Sequence, residues 1–330
     1  MDLANDRDFL KIEREQSMKK YIFGVDLGGT TVKNGIFSVD GDLLYKWEIV
    51  TRTEDGGKNI LPDIVESCKK TAAEKGYAME EFVGLGIGIP GGVDKTGTVQ
   101  ECVNLGWGYT EVKKELESMI DLPIAVGNDA DVAALGEMWQ GAGKGCTDMI
   151  MVTLGTGLGG GIIVDGKNVS GAHGYGGEIG HIRINMHEKE VRCNCGKYGC
   201  WELYCSATGI AREARKALAQ SQEVSSLRDL DAVTAKDVFD AAKASDAFAI
   251  AQVEKFGRRL ARGISFVAGV TDPEMVVIGG GVAKAGTIIT DVAKRYYNEF
   301  VFGRQKELKF AIAQLGNDAG IYGSAKLVLQ

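Results

Sequence analysis

The chain has 330 residues, 45% of them hydrophobic and 25% charged, a balance that suits two cores of ordinary domain size. Its net charge of −7, with no dense Lys/Arg block, disfavours nucleic acid as the main partner, because that binding rests on a positive electrostatic footprint. No apolar run reaches the ~18 residues of a membrane span, and Met1–Lys20 is charged and lacks the apolar stretch of a secretory leader, so a cytoplasmic location without membrane contact is expected.

In chain order, residues 1–17 are expected to be a disordered extension. Tyr21–Asp26 then reads as a strand, followed by the turn Leu27–Thr30, a strand Val32–Val39, the hairpin signal Asp40-Gly41 and a strand Leu43–Val50. Asn59–Lys75 places Ile60, Ile64, Val65, Cys68 and Ala72 at helical spacing and stops at Gly76. Glu111–Ile120 is a second helix, and the strand-like Pro123–Asn128 runs into a third, Asp129–Gln140. The opening pattern then returns: strand Met149–Thr153, turn Leu154–Gly157, strand Gly160–Val164 and hairpin signal Asp165-Gly166. Two copies so far apart predict two related α/β domains. Helices follow from Ser206, Thr234 and Asp246, the last closed by Asp272-Pro273. Met275–Ile278 is a short buried-type strand ending in Gly279-Gly280-Gly281, and a final helix, Ala319–Leu329, follows Gly316-Asn317-Asp318.

Glycine is in excess, 46 residues against only four prolines, which points to tight turns and close backbone approaches rather than low complexity. Two of the glycine runs are candidate phosphate loops: Asp26-Leu27-Gly28-Gly29-Thr30-Thr31 and Leu154–Gly161, containing Gly155, Thr156 and Gly157. Backbone N–H groups can point at phosphate oxygens there without a Cβ in the way, and the threonines add hydroxyl donors. Asp26, at a strand end, suits Mg²⁺ held through water. The second loop also satisfies G-x-G-x-x-G through Gly155, Gly157 and Gly160, but a dinucleotide fold needs a helix next, and here a β-rich segment follows. Either loop alone could be an ordinary β-turn.

Asn128 and Asp129 stand where a strand meets a helix, a place for a substrate hydroxyl and for the carboxylate that takes its proton. Aspartate at such a junction is also a common helix N-cap, and spacing alone leaves both roles open. Of seven cysteines, Cys193, Cys195 and Cys200 crowd behind His181. Three thiolates and an imidazole suit a closed tetrahedral Zn²⁺ site, with buried free thiols or a disulfide as alternatives.

These motifs together resemble the ROK family, most closely its bacterial glucokinases. The resemblance rests on Asp26-Leu-Gly-Gly-Thr30 with Lys33, Asn128-Asp129, Leu154–Gly161, Gly177-Glu178-Ile-Gly-His181 and Cys193-Asn-Cys-Gly-Lys-Tyr-Gly-Cys200-Trp-Glu202, and it runs from about Lys20 to the C-terminus. It implies an α/β, actin-like ATPase (ribonuclease H-like) fold of two α/β domains with a cleft between them. The expected boundaries are 19–129 plus 317–330 for a small domain and 130–316 for a large one carrying the zinc loop. The resemblance also implies Asp129 as general base, sugar contacts from Asn104, Asn128, Glu178, His181 and Glu202, and ATP as phosphate donor. Asp26, Gly28, Gly29, Thr30, Thr31, Lys33, Gly155, Thr156, Gly157, Gly280 and Gly281 would serve ATP and Mg²⁺. His181 would give one ring nitrogen to zinc and the other to the sugar. Repressor members carry a helix-turn-helix ahead of the first glycine loop; with about twenty residues before the first strand, the kinase branch is the expectation here. The expectation is phosphorylation of glucose at its 6-hydroxyl by a homodimer or homotetramer. Fructose, mannose, allose or N-acetylmannosamine, or a non-catalytic sugar sensor, are the alternatives.

Overall fold

The doubled strand-turn-strand pattern folds into two five-stranded sheets of the same topology. The computed structural model describes Lys19–Gln330, so the expectation for residues 1–17 lies outside the described residues. In the first sheet β1 (Tyr21–Leu27), β2 (Thr31–Ser38), β3 (Leu43–Val50), β4 (Phe82–Ile89) and β5 (Ile124–Asn128) lie in the order β3-β2-β1-β4-β5. In the second, β6 (Met149–Leu154), β7 (Leu158–Val164), β8 (Lys167–Asn168), β9 (Met275–Gly279) and β10 (Lys309–Ile312) lie in the order β10-β9-β6-β7-β8. Each sheet therefore has a three-strand antiparallel meander whose first strand is extended by two parallel strands. Short turns can only make antiparallel neighbours, and the parallel strands are reached by longer crossovers.

Burial follows position in the sheet. β1 is central and almost wholly buried, whereas edge strand β3 alternates, putting Tyr45, Trp47 and Ile49 inward and Lys46 and Glu48 outward. Helix α1 (Ile60–Lys75) lays Ile60, Ile64, Val65 and Cys68 on that core and ends at Gly76, whose left-handed φ of 79° lets its N–H close onto Ala72 and Ala73. Phe23 and Phe82 stack at 3.9 Å in the same core. Of the two Asp-Gly turns, Asp165-Gly166 takes positive φ at both residues, the type I′ signature, whereas at Asp40-Gly41 only the glycine does.

The chain divides into two compact units. The first holds the described residues up to Gln140 together with Ser170–Tyr175 and Asn317–Gln330; the second holds Gly141–Val169 and Gly176–Gly316. The expected boundary at 129/130 is therefore displaced: helix α3 (Asp129–Gln140) belongs to the first unit. The reason is packing, since α3 lies against α9 (Ala319–Leu327), where Gly136 and Gly323 bring the two helix backbones into direct contact. Ser170–Tyr175 also belongs there; Ser170 Oγ lies 3.3 Å from Asp131, and Gly174 packs on the Val93 backbone.

The second unit buries Trp201, Phe239, Phe256, Ile264 and Tyr297 around α7 (Ala247–Thr271). Trp201 is 0% exposed, and its indole rests on Gly263 of that helix. No helix among the described residues is long and apolar enough to cross a membrane.

Candidate active site

In the first unit the expected residues gather at the C-terminal ends of parallel strands, where open α/β sheets place their ligands. Asp26 is the next-to-last residue of β1 and the register partner of Lys33 on β2, whose Nζ lies 3.6 Å from Asp26 Oδ2 and donates to the Asn317 carbonyl at 3.0 Å. Burial raises the Asp26 pKa above its ordinary value; Lys33 opposes that rise and Asp318 adds to it. Gly28, Gly29 and Thr30 form the turn, tied by Gly28 N–H to Thr31 O at 3.1 Å, with Thr31 opening β2. Buried Thr51 braces the turn from behind, its N–H donating to Thr30 O and its hydroxyl to Gly28 O. Asn104, on the short turn Val103–Leu105, stands against Gly29. Asn128 ends β5 and Asp129 begins α3. Asn128 Oδ1 accepts the N–H groups of Ala130 and Asp131, and its Nδ2 donates to Gly91 O at 2.9 Å. Asp129 lies exposed beside it, one carboxylate oxygen on Ala130 N–H, and its charge reaches the Cys102 thiol next to the Asn104 turn.

In the second unit the turn Gly155-Thr156-Gly157 joins β6 to β7. It is held by the start of α5 (Ala207–Gln220): Ala207 N–H donates to Gly155 O, and Thr208 Oγ1 to Thr156 O, both at 2.8 Å. Gly155, Thr156 and Gly281 line a cavity of about 540 Å³, completed by Thr234, Lys236, Phe239 and Asp240 of α6 (Ala235–Lys243) and its cap, and by Val282 and Lys284. Gly280, just before it, packs on the Leu154 backbone.

The cysteines and histidine converge as expected. Ligand atoms of His181, Cys193, Cys195 and Cys200 all lie within 4.8 Å of one another. Cys193 Sγ is 3.6 Å from His181 Nδ1, and Cys195 Sγ is 3.6 Å from Cys200 Sγ, too far for the ~2.05 Å of a disulfide. Four donors around one Zn²⁺ at ~2.0–2.3 Å would sit about this far apart. Burial raises the thiol pKa of Cys193 and Cys200, so ionised sulfurs here call for a neighbouring cation. The loop folds this way because Gly199 takes a left-handed φ of 76° and leaves no room for a Cβ beside the Asn185 carbonyl. His181 turns its other nitrogen, Nε2, toward Glu178 Oε2 at 3.9 Å. Glu202 opens the single-turn helix α4 (Glu202–Cys205); its Oε2 accepts Leu158 N–H at 3.1 Å and its Oε1 lies 3.5 Å from Cys193 Sγ. Gly157 lies so close to that carboxylate that any Cβ would collide with it.

The ROK family profile matches residues 22–330 of this sequence. The chain belongs to the ROK family. A glucokinase from Halalkalibacterium halodurans is 42% identical over 316 residues, covering 94% of this chain and 96% of that protein. Among solved structures, a ROK family glucokinase from Streptomyces griseus in complex with glucose and AMPPNP superposes with a TM-score of 0.70 at 33% identity, covering 93% of this chain and 98% of the other. A ROK hexokinase from Thermus thermophilus gives 0.76 at 28% identity, covering 93% and 97%. The fold is thus the actin-like ATPase fold of ROK kinases, with one α/β sheet in each unit.

The ROK motifs named from sequence omit several supports. Thr51, Thr208 and the Leu158 N–H hold the two glycine turns and Glu202, and Thr234, Lys236, Phe239 and Asp240 complete the cavity. Thr234-Ala-Lys-Asp was legible as a capped helix start; nothing local says that this helix reaches a glycine turn.

Proposed function

We propose that this ROK sugar kinase transfers the γ-phosphoryl group of ATP to the 6-hydroxyl of glucose, with Asp129 as general base. Glucose is favoured over other hexoses by the 42% identical glucokinase and by the glucose complex of the Streptomyces griseus enzyme. The observation that carries the role of Asp129 is the division of labour at α3. Asn128 Oδ1 serves the N–H groups of Ala130 and Asp131, while Asp129, which shares the Ala130 N–H, keeps its carboxylate exposed where a substrate hydroxyl could meet it.

In this reading Asp129 accepts the proton of the 6-hydroxyl as its oxygen bonds to the γ-phosphorus and the bond to the ADP oxygen breaks. The amides of Asn104 and Asn128, the carboxylates of Glu178 and Glu202 and the imidazole of His181 are the groups suited to sugar hydroxyls, each of which both donates and accepts. The backbone N–H groups of Gly28–Thr30 and Gly155–Gly157 receive phosphate oxygens, the threonine hydroxyls and Lys33 assist, and the 540 Å³ cavity at Gly281 takes the base and ribose. Mg²⁺ screens the phosphate charge when bound, and Asp26, its carboxylate already costly to ionise by burial, is the residue that would face it. Zn²⁺ on His181 Nδ1 and the three sulfurs would be structural: it fixes the imidazole tautomer and leaves Nε2 for Glu178 and a sugar hydroxyl.

Asp129→Ala tests the reading. Turnover should fall by at least about 10²- to 10⁴-fold, the usual worth of a general base. Glucose binding by calorimetry and metal content should stay near wild type. Near-normal turnover would remove Asp129 from the role.

A further inference from the structure

Two residues proposed for sugar binding depend on short irregular segments. Glu202 stands on a helix of one turn, too short to hold its own geometry. His181 and Cys193 are joined by residues 182–192, which contain no helix or strand. Tyr204 connects the two. It lies two residues past Glu202 and is 2% exposed. Its hydroxyl donates to Glu188 Oε2 at 2.9 Å and accepts from Asn185 Nδ2 at 2.9 Å. The other Glu188 oxygen accepts the N–H groups of Glu190 and Val191 at 2.8 and 3.1 Å, which shapes the chain just before Cys193. Asn185 in turn caps His187 N–H, and its own N–H donates to the Gly199 carbonyl, beside Cys200. Arg259 of α7 lies 4.6 Å over the Tyr204 ring while its guanidinium pairs with Glu213 at 2.7 Å, so the ring cannot turn away.

We infer that Tyr204 is a positioning residue: through Glu188 and Asn185 it locks the His181–Cys193 loop to the helix that carries Glu202, so that the metal ligands and the sugar carboxylate are set by one buried phenol. The inference rests on the zinc-braced reading above. A metal alone would fix four atoms, whereas this tie fixes the backbone between them. Backbone donors hold Glu188 down at about 2, and burial together with Glu188 pushes the Tyr204 hydroxyl up to about 12. The bond therefore stays phenol-to-carboxylate at any working pH. The hydroxyl borders a cavity of about 340 Å³, so Tyr204→Phe removes one oxygen without crowding anything.

The test uses the full-length protein as wild type, Tyr204→Phe and Glu188→Gln, with Ile64→Val in the other unit's core as a mildly destabilised control. Bound zinc per chain, the rate of zinc transfer to a chromogenic chelator, and glucose KM and kcat are measured. Both site variants should release zinc about 10-fold faster, the lower end of what outer partners of metal ligands contribute. They should also raise glucose KM while kcat changes less, and the control should do neither. A wild type holding one zinc per chain, with variants that match it in release rate and KM, would overturn the positioning role and leave the zinc reading standing. A wild type without zinc would overturn both. Should Tyr204→Phe fail to fold, Glu188→Gln decides by the same readouts.

Discussion

The two units share a strand order and differ in what their first hairpin carries. In the first unit the turn is entered and left by charge: Asp26 and Lys33 are register partners across β1 and β2. In the second unit the corresponding ends of β6 and β7 pair Thr153 with Gly159, and no charge is present. The second unit instead spends its chain between β8 and β9, where it inserts the Cys/His loop, α4, α5 and α6 before the crossover helix α7. One scaffold thus presents a glycine turn twice, once beside the Asp26–Lys33 pair and once leaning on a side chain, Glu202, that also meets Cys193 of the Cys/His loop. Equivalent turns need not have equivalent chemistry; what is attached to the sheet behind them decides it.

Variants of the second unit should break this asymmetry most strongly. Cys193→Ser removes a proposed metal ligand that contacts both His181 and Glu202, and prolonged chelation would remove the proposed metal itself. Metal should be lost, and glucose KM should rise by about 10- to 100-fold. An unchanged KM in metal-free protein would uncouple metal from sugar. Gly157→Ala comes next, because its Cβ would displace the Glu202 carboxylate, whereas Gly29→Ala in the matching turn meets only Asn104 atoms at 3.6 and 3.7 Å. Kinetics on the pair should show a raised glucose KM for Gly157→Ala and a fold that tolerates Gly29→Ala without loss of Tm. Equal effects would erase the difference between the turns.

Smaller effects follow in the first unit. Burial raises the folded pKa of Asp26, so whatever stability its protonation gives is present below the unfolded pKa and is lost as pH rises through the folded one. Above its folded pKa the ionised Asp26 therefore opposes folding. Asp26→Asn should leave Tm unchanged or slightly higher near pH 7 while lowering kcat, and a clear drop in Tm would mean that the Lys33 pair outweighs burial. The smallest change is expected for Lys46→Ala, which removes a partly exposed pair with Asp318. Thermal melts should barely register it.

Much of this was legible in sequence because its signals are local. The strand–turn–strand–Asp-Gly pattern repeats within short windows, and both copies became sheets with the same order. Cys193, Cys195 and Cys200 lie within one loop, so their convergence needed only two glycines and His181. At Asp129, spacing could not separate base from cap; the structure adds that Asn128, one residue away, takes the Ala130 and Asp131 N–H groups, the first of which Asp129 shares. What escaped depends on distant packing. Helix α3 joins the first unit because a helix from the far end of the chain crosses it at Gly136 and Gly323. Thr234–Asp240 reach the glycine turn only through the tertiary fold, and Tyr204 finds Glu188 across the loop it helps to close.

Initial rates with Mg-ATP across a panel of glucose, fructose, mannose, allose and N-acetylmannosamine, with the phosphorylated position assigned by NMR, test the central claim most directly. The account predicts the highest kcat/KM on glucose and phosphate on its 6-hydroxyl. A clear preference for another sugar, or sugar binding without ATP consumption, would contradict it.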